Sequence, residues 1–377
     1  MNMKGKVLLI SAVIQAAFFC CPALLLADGC GDLVEVSIYG KDNRMEYCAA
    51  DDILKTLSES VAAIFTSDRL TEGKDGGYTI KKGVTLDKPL LETGDDRPLG
   101  PGERYRGQIR GASCAGSLVG DDLLLTAGHC IRDGKINPFE GRPCGELKVV
   151  FGYRVERTGL NPSKFRKDEV YSCKEPVKHV LTDGGLDFAV IRLDRKVVGR
   201  KPLAINRKQN LREGTGLITM GYPTGIPLKI ADGAKVRSVN KKKGFFMADL
   251  DAFYGCSGSP VFNSKTLLIE GIAVRGGDDY EPDPADPEQL RATVYPQNGG
   301  PGEGCTLAAA VQSYVPVTDS ERDMLWLNAK TKDLYGDMVR EMQKRKNQPS
   351  GKNAGDMRLI EPFYQPVNMP EPEPLEI

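Results

Sequence analysis

The chain has 377 residues, long enough for one large domain or two modest ones with a sizeable buried core. Its composition is ordinary for a globular protein at 40% hydrophobic and 27% charged, and Lys plus Arg balances Asp plus Glu at 51 each. That balance gives no argument for nucleic acid or an anionic membrane surface as a partner, and two histidines exclude a histidine-rich metal cluster.

Lys4 and Lys6 precede an uncharged stretch from Val7 to Leu26, closed by Ala27 before Asp28. A basic start, an apolar stretch and a small residue at the end predict an export leader over residues 1–27, with a membrane anchor as the alternative. No later stretch is long and apolar enough to span a bilayer, so no stable membrane association is expected after leader cleavage. The protein is accordingly expected outside the cytoplasm, secreted or periplasmic. Setting aside Cys20 and Cys21 in the leader leaves eight cysteines, an even number that reads as disulfides in an oxidising compartment.

Residues 28–97 form an amino-terminal region unlike the rest, read as a pro-segment or a retained domain. Asp51 and Asp52 cap an expected helix with Ile53, Leu57, Val61, Ile64 and Phe65 on one face. Cys30 and Cys48 flank its approach as a candidate pair. From about residue 104 the texture changes to short β-type runs between turn clusters. Ser117–Val119, Leu123–Thr126, Leu147–Phe151, Phe188–Leu193, Gly216–Met220 and Leu267–Val274 are the clearest. Such runs without intervening helical patterns predict an all-β barrel or sandwich over residues 98–317. Thr318-Asp-Ser-Glu321 is a capping-box start for an amphipathic helix over 318–347, carrying Leu327, Leu334, Met338 and Met342. Residues 348–377 are proline-rich and expected to be disordered.

Three segments carry chemistry, in the order His, Asp, Ser. They are Thr126-Ala-Gly-His129-Cys130, Leu186-Asp187-Phe-Ala-Val-Ile-Arg-Leu193 and Gly255-Cys256-Ser257-Gly258-Ser259-Pro260. A serine hydroxyl needs a base to take its proton, and the base needs a carboxylate to hold its tautomer. Glycines beside the serine let the backbone turn sharply, so that N–H groups converge on a developing oxyanion. Gly255 and Ser257 are the candidate donors. Each segment alone reads as a loop, a core histidine or a turn aspartate; their conjunction on one β-rich chain makes the signal.

On these residues, with Cys114-Ala-Gly-Ser-Leu118 and Gly94-Asp-Asp-Arg97, the sequence from about Leu91 to Val317 resembles the chymotrypsin-like serine peptidases. Within them it is most similar to the bacterial glutamyl-endopeptidase-like branch. The resemblance implies two six-stranded antiparallel β-barrels, about 104–195 and 196–317, with the site in the cleft between them. It implies hydrolysis of protein or peptide substrates through an acyl-enzyme, without cofactor or metal. His129 is then the general base, Asp187 its orienting acid and Ser257 the nucleophile, with His179 and Asp183 as weaker rivals. Further partners it implies are an inhibitor or an activating protease that releases a zymogen near Leu91–Gly94.

Pairings follow the same resemblance. Cys114 is spaced from His129 as in relatives where it bonds the cysteine after the histidine, here Cys130. Cys256 stands where trypsin-type zymogens carry the aspartate that captures a new amino terminus, and is expected to bond Cys305 instead. Cys144 with Cys173 completes the set. Asp251, six residues before Ser257, aligns with the pocket floor of trypsin-like enzymes and implies a preference for Arg or Lys before the cleaved bond. The alternative is an aspartate bonded to nearby backbone. Val274 and Gly276 are the expected pocket walls. Arg275 keeps a preference for Glu open, and a catalytically inactive binding module is the competing function. The insertion from Gly276 to Gly304, rich in Asp and Glu, reads as a solvated loop, an attractor of basic substrates or a calcium site.

Overall fold

The computed structural model describes residues 39–89, 95–132, 142–182 and 184–346. The expected leader, Cys20, Cys21, Cys30, Asp183 and the proline-rich tail lie outside the described residues. In chain order the elements that build the site begin with β1 (Arg44–Glu46), helix α1 (Asp52–Ser58) and β2 (Val61–Thr66). The first half continues with β3 (Cys114–Leu118), β4 (Leu123–Thr126), β5 (Leu147–Phe151), β6 (Val170–Leu181) and β7 (Asp187–Leu193). The second half has β8 (Gly216–Gly221), β9 (Lys229–Asn240), β10 (Phe245–Ala248), β11 (Pro260–Asn263) and β12 (Ile269–Arg275). After them come β13 (Tyr280–Asp283), β14 (Asp286–Ala292), β15 (Glu303–Leu307) and helix α2 (Asp319–Lys346).

Two six-stranded antiparallel barrels result, the chymotrypsin-like architecture. The first closes in the order β5-β6-β7-β4-β3-β2. In the second, β9-β8-β11-β12-β15-β10 closes because β10 also pairs with β9, and β1 adds a short antiparallel edge at residues 229–231 of β9. Two strands of the first barrel are buried on both faces: every residue of β3 and β4 is buried. That is why they read as continuous apolar runs and not as alternating ones. One core runs from Ile64, Leu124, Val149 and Phe188 in the first barrel to Met220, Phe262 and Ile272 in the second.

The first barrel starts well before residue 104. One of its six strands is β2, paired with β3 from Val61↔Ser117 and with β5 from Phe65↔Lys148. The expected amino-terminal helix is correspondingly shorter. Asp51 caps it, its carboxylate accepting the Leu54 N–H at 2.8 Å, but the helix ends at Ser58. Val61, Ile64 and Phe65 belong to the strand, and Ile53 is exposed while Leu54 is buried. The helical spacing across 53–65 was shared by a strand-length run, Val61-Ala-Ala-Ile-Phe65, which apolar periodicity alone does not separate from a helix.

At the other end Thr318 Oγ1 accepts the Glu321 N–H at 3.2 Å and opens α2. Arg207 holds its first turn by a two-pronged pair with Glu321 at 2.6 and 2.9 Å and by the carbonyls of Gln312, Val315 and Pro316. A separate unit begins at Ala329, and its described part is the continuation of the helix to Lys346. The side chains of Leu334, Met338 and Met342 lie outside those described. No described helix is long and apolar enough to cross a membrane.

Candidate active site

His129 sits on a single 3-10 turn, Gly128–Cys130, between β4 and the chain that follows. A disulfide from Cys130 to Cys114 on β3 fastens that turn to the barrel, with the Cα atoms 6.3 Å apart. Asp187 opens β7 on the neighbouring side. Its Oδ2 lies 2.8 Å from His129 Nδ1, and its Oδ1 accepts the His129 backbone N–H at 3.1 Å. Both oxygens of a nearly buried carboxylate are thus spent on one residue. The pairing favours the tautomer with its proton on Nδ1, which leaves the Nε2 lone pair open.

Two further residues hold this pair: Thr306, which nothing in the sequence marked, and His179, read there only as a weaker rival for the base. Thr306 on β15 is fully buried; its hydroxyl donates to the Asp187 carbonyl at 2.9 Å and accepts the Asp187 N–H at 3.3 Å. A residue of the second barrel therefore fixes an acid of the first. His179 on β6, the weaker rival for the base, has its Nε2 2.9 Å from the Gly128 carbonyl. It buttresses the turn that carries His129. Only the tertiary fold brings Thr306 to Asp187, so no local signal marks it.

Ser257 lies between Gly255 and Gly258, whose φ angles are +88° and +85°. A Cβ at Gly255 would stand 2.7 Å from the Tyr222 carbonyl oxygen, and one at Gly258 would stand 2.2 Å from the Ala115 carbonyl oxygen. Glycine is required at both for conformation and for space. The turn is pinned by Ala115 N–H to Ser257 O at 2.8 Å, Gly258 N–H to Ala273 O at 2.7 Å and Cys256 N–H to Phe253 O at 2.8 Å. Among the described residues no protein group engages the Gly255 or Ser257 N–H, nor does a hydrogen bond join Ser257 to His129. Two backbone donors thus stand beside the Ser257 hydroxyl with no protein partner among the described residues.

The cysteines pair as expected at Cys114–Cys130 and Cys144–Cys173 and depart from the expectation at Cys256 and Cys305. Cys144 and Cys173 are bonded, with Cα atoms 5.2 Å apart, and Cys48 is disulfide-bonded, its expected partner Cys30 lying outside the described residues. Cys256 and Cys305, expected to pair, are free thiols. Both sit in the apolar core of the second barrel with Phe246, Val261 and Ala273, where they serve as small buried hydrophobes.

A cavity of about 400 Å³ opens beside Ser257, bounded by Val274, Gly276 and the 252–256 loop. Asp251 is not part of its lining; its two oxygens accept the backbone N–H groups of Tyr39 at 3.2 Å and Asn43 at 2.8 Å. The expected pocket-floor acid is thus an anchor for the amino-terminal segment. Carboxylates reach the cavity from elsewhere: Asp95, Asp278, Asp279 and Glu303 line it, with Arg275 as the one cation among the described lining residues. Arg275 donates to the Gly185 carbonyl at 2.7 Å and lies over the Phe245 ring, which commits its charge.

Glu303 stands directly behind Gly276, where a Cβ would come within 2.0 Å of its Oε2. Burial and then the neighbouring Asp279 push its carboxyl up to about 8, against the opposing effect of the Gly277 N–H and the Tyr39 hydroxyl. Burial likewise raises Asp279 to about 7, although its Oδ2 accepts the Tyr254 N–H at 2.6 Å. The acidic insertion is a hairpin of β13 and β14 with Leu290 and Ala292 buried, so it is a wall of this cavity and not a wholly solvated loop.

Residues 114–269 match the family model described as "Trypsin-like peptidase domain". Trypsin epsilon of Drosophila erecta is 24% identical over 184 residues, covering 41% of this chain; the chain spans 65% of that relative's length. Among solved structures, the VesB protease of Vibrio cholerae is 14% identical, with a TM-score of 0.41, and the match covers 74% of this chain and 66% of that one. Human heparin binding protein is 13% identical at the same TM-score of 0.41, covering 74% of this chain and 94% of that one. Neuropsin of mouse brain, described as a serine protease, is 16% identical at 0.41, covering 68% and 92%.

Proposed function

We propose that the protein is an exported serine endopeptidase in which His129, Asp187 and Ser257 hydrolyse peptide bonds through an acyl-enzyme. The observation that carries this reading is the 2.8 Å pairing of His129 Nδ1 with Asp187, set against a serine between two left-handed glycines. His129 Nε2 takes the Ser257 proton as Oγ attacks the scissile carbonyl carbon. That hydrogen bond forms with substrate in place, as catalytic contacts commonly tighten only then. The Gly255 and Ser257 N–H groups receive the oxyanion, and His129 returns the proton to the leaving amine. Water then attacks the ester by the same base. Asp187 keeps Nδ1 protonated and the ring oriented throughout.

Labelling with a fluorophosphonate tests the reading. Wild-type protein takes one label at Ser257 and the Ser257→Ala variant takes none. An unlabelled wild type, or label that survives Ser257→Ala, refutes it.

The preferred substrate carries Arg or Lys before the cleaved bond. Four carboxylates against one committed guanidinium give the cavity an acidic lining, and a buried carboxylate is best matched by a cation. Glu303 and Asp279 take the role that alignment gave to Asp251. Cleavage of a peptide library is the measurement, and indifference to charge at that residue would remove the assignment. Export accords with the Cys114–Cys130 and Cys144–Cys173 bonds, which persist in oxidising compartments.

A further inference from the structure

Residues 39–46 belong neither to the triad nor to the cavity lining, yet their contacts reach Phe253 and Glu303, which line it, and Asp251 behind it. The Tyr39 and Asn43 N–H groups hold Asp251, in the loop between β10 and β11 that carries Ser257. Arg44, itself buried, lays its guanidinium 4.4 Å from the ring centre of Phe253 in the same loop. Asp42 fixes that guanidinium by bonds of 2.9 and 2.8 Å and takes a second cation, Arg104, at 2.9 Å. On the opposite wall, the Tyr39 hydroxyl donates to Glu303 at 3.4 Å and accepts the Gly302 N–H at 3.0 Å. The ring of Tyr39 is held by stacking on Tyr295 at 5.4 Å.

As packing alone this arrangement is costly. A buried ion pair is usually replaceable by apolar side chains without loss of stability, while its geometry is hard to reproduce. β1 contributes only three residues to the sheet edge, too few to account for the investment. The contacts fall instead on the two walls between which a substrate side chain must enter.

We propose that Tyr39–Glu46 is a brace for the specificity cavity, and that Arg44 is a positioning residue that sets the nucleophile loop through Phe253. The proposal rests on the catalytic reading above. Free of its clamp, Phe253 shifts, and the 253–257 turn that aligns Ser257 and the oxyanion donors moves with it. A displacement of about 1 Å at such a site costs on the order of 100-fold in rate.

The test compares Arg44→Met and Arg44→Lys with wild type in the full chain, by the rate of fluorophosphonate labelling and by kinetics on a short peptide anilide ending in Arg. Arg44→Met is expected to lose about 10- to 100-fold in labelling rate at temperatures well below its unfolding midpoint. Arg44→Lys, which keeps the charge facing Asp42, recovers part of the loss. A lower unfolding midpoint with wild-type labelling below it is the mark of a merely structural arginine and overturns the proposal. Should Arg44→Met not fold, Tyr39→Phe serves: loss of the hydroxyl from Glu303 and Gly302 raises KM severalfold at nearly constant kcat. An unchanged KM overturns the brace. A wild type that takes no label refutes the catalytic reading itself, and is thereby distinguished from failure of the brace, in which wild type and Arg44 variants label alike.

Discussion

Asp251 accepts the Asn43 N–H at 2.8 Å, so the carboxylate six residues before Ser257 is spent on the amino-terminal segment. On the proposed specificity it is Glu303, behind Gly276, that meets the substrate cation. The two variants Asp251→Asn and Glu303→Gln therefore separate. Glu303→Gln is expected to cut the preference for Arg over Met before the cleaved bond by roughly tenfold or more, the scale of a hydrogen bond to a charged group. Asp251→Asn lowers activity on both peptides and leaves their ratio intact. Paired kcat/KM measurements decide it, and a ratio that collapses in Asp251→Asn reverses the assignment.

The same carboxyl groups make the preference depend on pH. Burial raises Asp279 to about 7, and burial with Asp279 nearby raises Glu303 to about 8. Their folded values exceed the unfolded ones, so the stability they contribute is complete below the ordinary carboxylate range. It is lost as pH rises through about 7 and 8. Over that interval the groups ionise and become acceptors for a cation. The ratio of kcat/KM for Arg against Met peptides is expected to climb between about pH 6 and 8.5, while the unfolding midpoint falls. The catalytic groups are common to both peptides and cancel in the ratio. Glu303→Gln flattens both curves; a ratio constant with pH contradicts the assignment.

Thr306 reaches from the second barrel to the Asp187 carbonyl, 2.9 Å away. Thr306→Val keeps the volume and removes the donor, leaving a buried carbonyl unsatisfied at a cost of about 1–3 kcal/mol. The expected result is a severalfold loss in kcat with KM nearly constant, because the acid shifts and the cavity does not. Thr306→Ser restores kcat. Steady-state kinetics on one peptide check both, and a change confined to KM places Thr306 in the cavity instead.

The three segments of the proposed triad stand out in the sequence because each has its residue types close together: the turn before His129, the apolar strand after Asp187, the glycines around Ser257. Much of the rest depends on contacts that sequence does not order. Val61–Phe65 fits helical spacing and a buried strand equally well, and only its partners β3 and β5 decide. Asp251 has a suggestive position, but whether a carboxylate meets a substrate or a backbone N–H is settled by a segment more than 200 residues away. Cys256 and Cys305 are an even remainder by count, and an even count does not require a bond.

Those two thiols give a chemical prediction. Burial pushes the Cys256 thiol up to about 12 and the Cys305 thiol well above its ordinary value, so neither forms a reactive thiolate near neutral pH. Iodoacetamide is expected to leave the native protein unmodified at both. In guanidinium without reductant it labels Cys256 and Cys305 and spares Cys114, Cys130, Cys144 and Cys173, as peptide mapping reads out. A requirement for reductant at Cys256 and Cys305 would mean that they pair after all.

The place of β2 in the first barrel decides what the amino-terminal region is. Val61, Ile64 and Phe65 are fully buried there, and the Tyr222 hydroxyl of the second barrel donates to the Val61 carbonyl at 3.2 Å. Losing the burial of three such side chains costs roughly 5–9 kcal/mol, as much as the whole stability of many domains. A protease site engineered between Lys88 and Pro98 should therefore cut the chain without releasing its amino-terminal part. The two pieces are expected to co-elute in gel filtration without denaturant and to keep fluorophosphonate labelling at Ser257. Residues 95–317 expressed alone are expected to be unfolded by circular dichroism and unlabelled, since the barrel lacks one of its six strands. If that fragment folds and labels, β2 is dispensable and the region before Arg97 is a pro-segment that the mature protein discards.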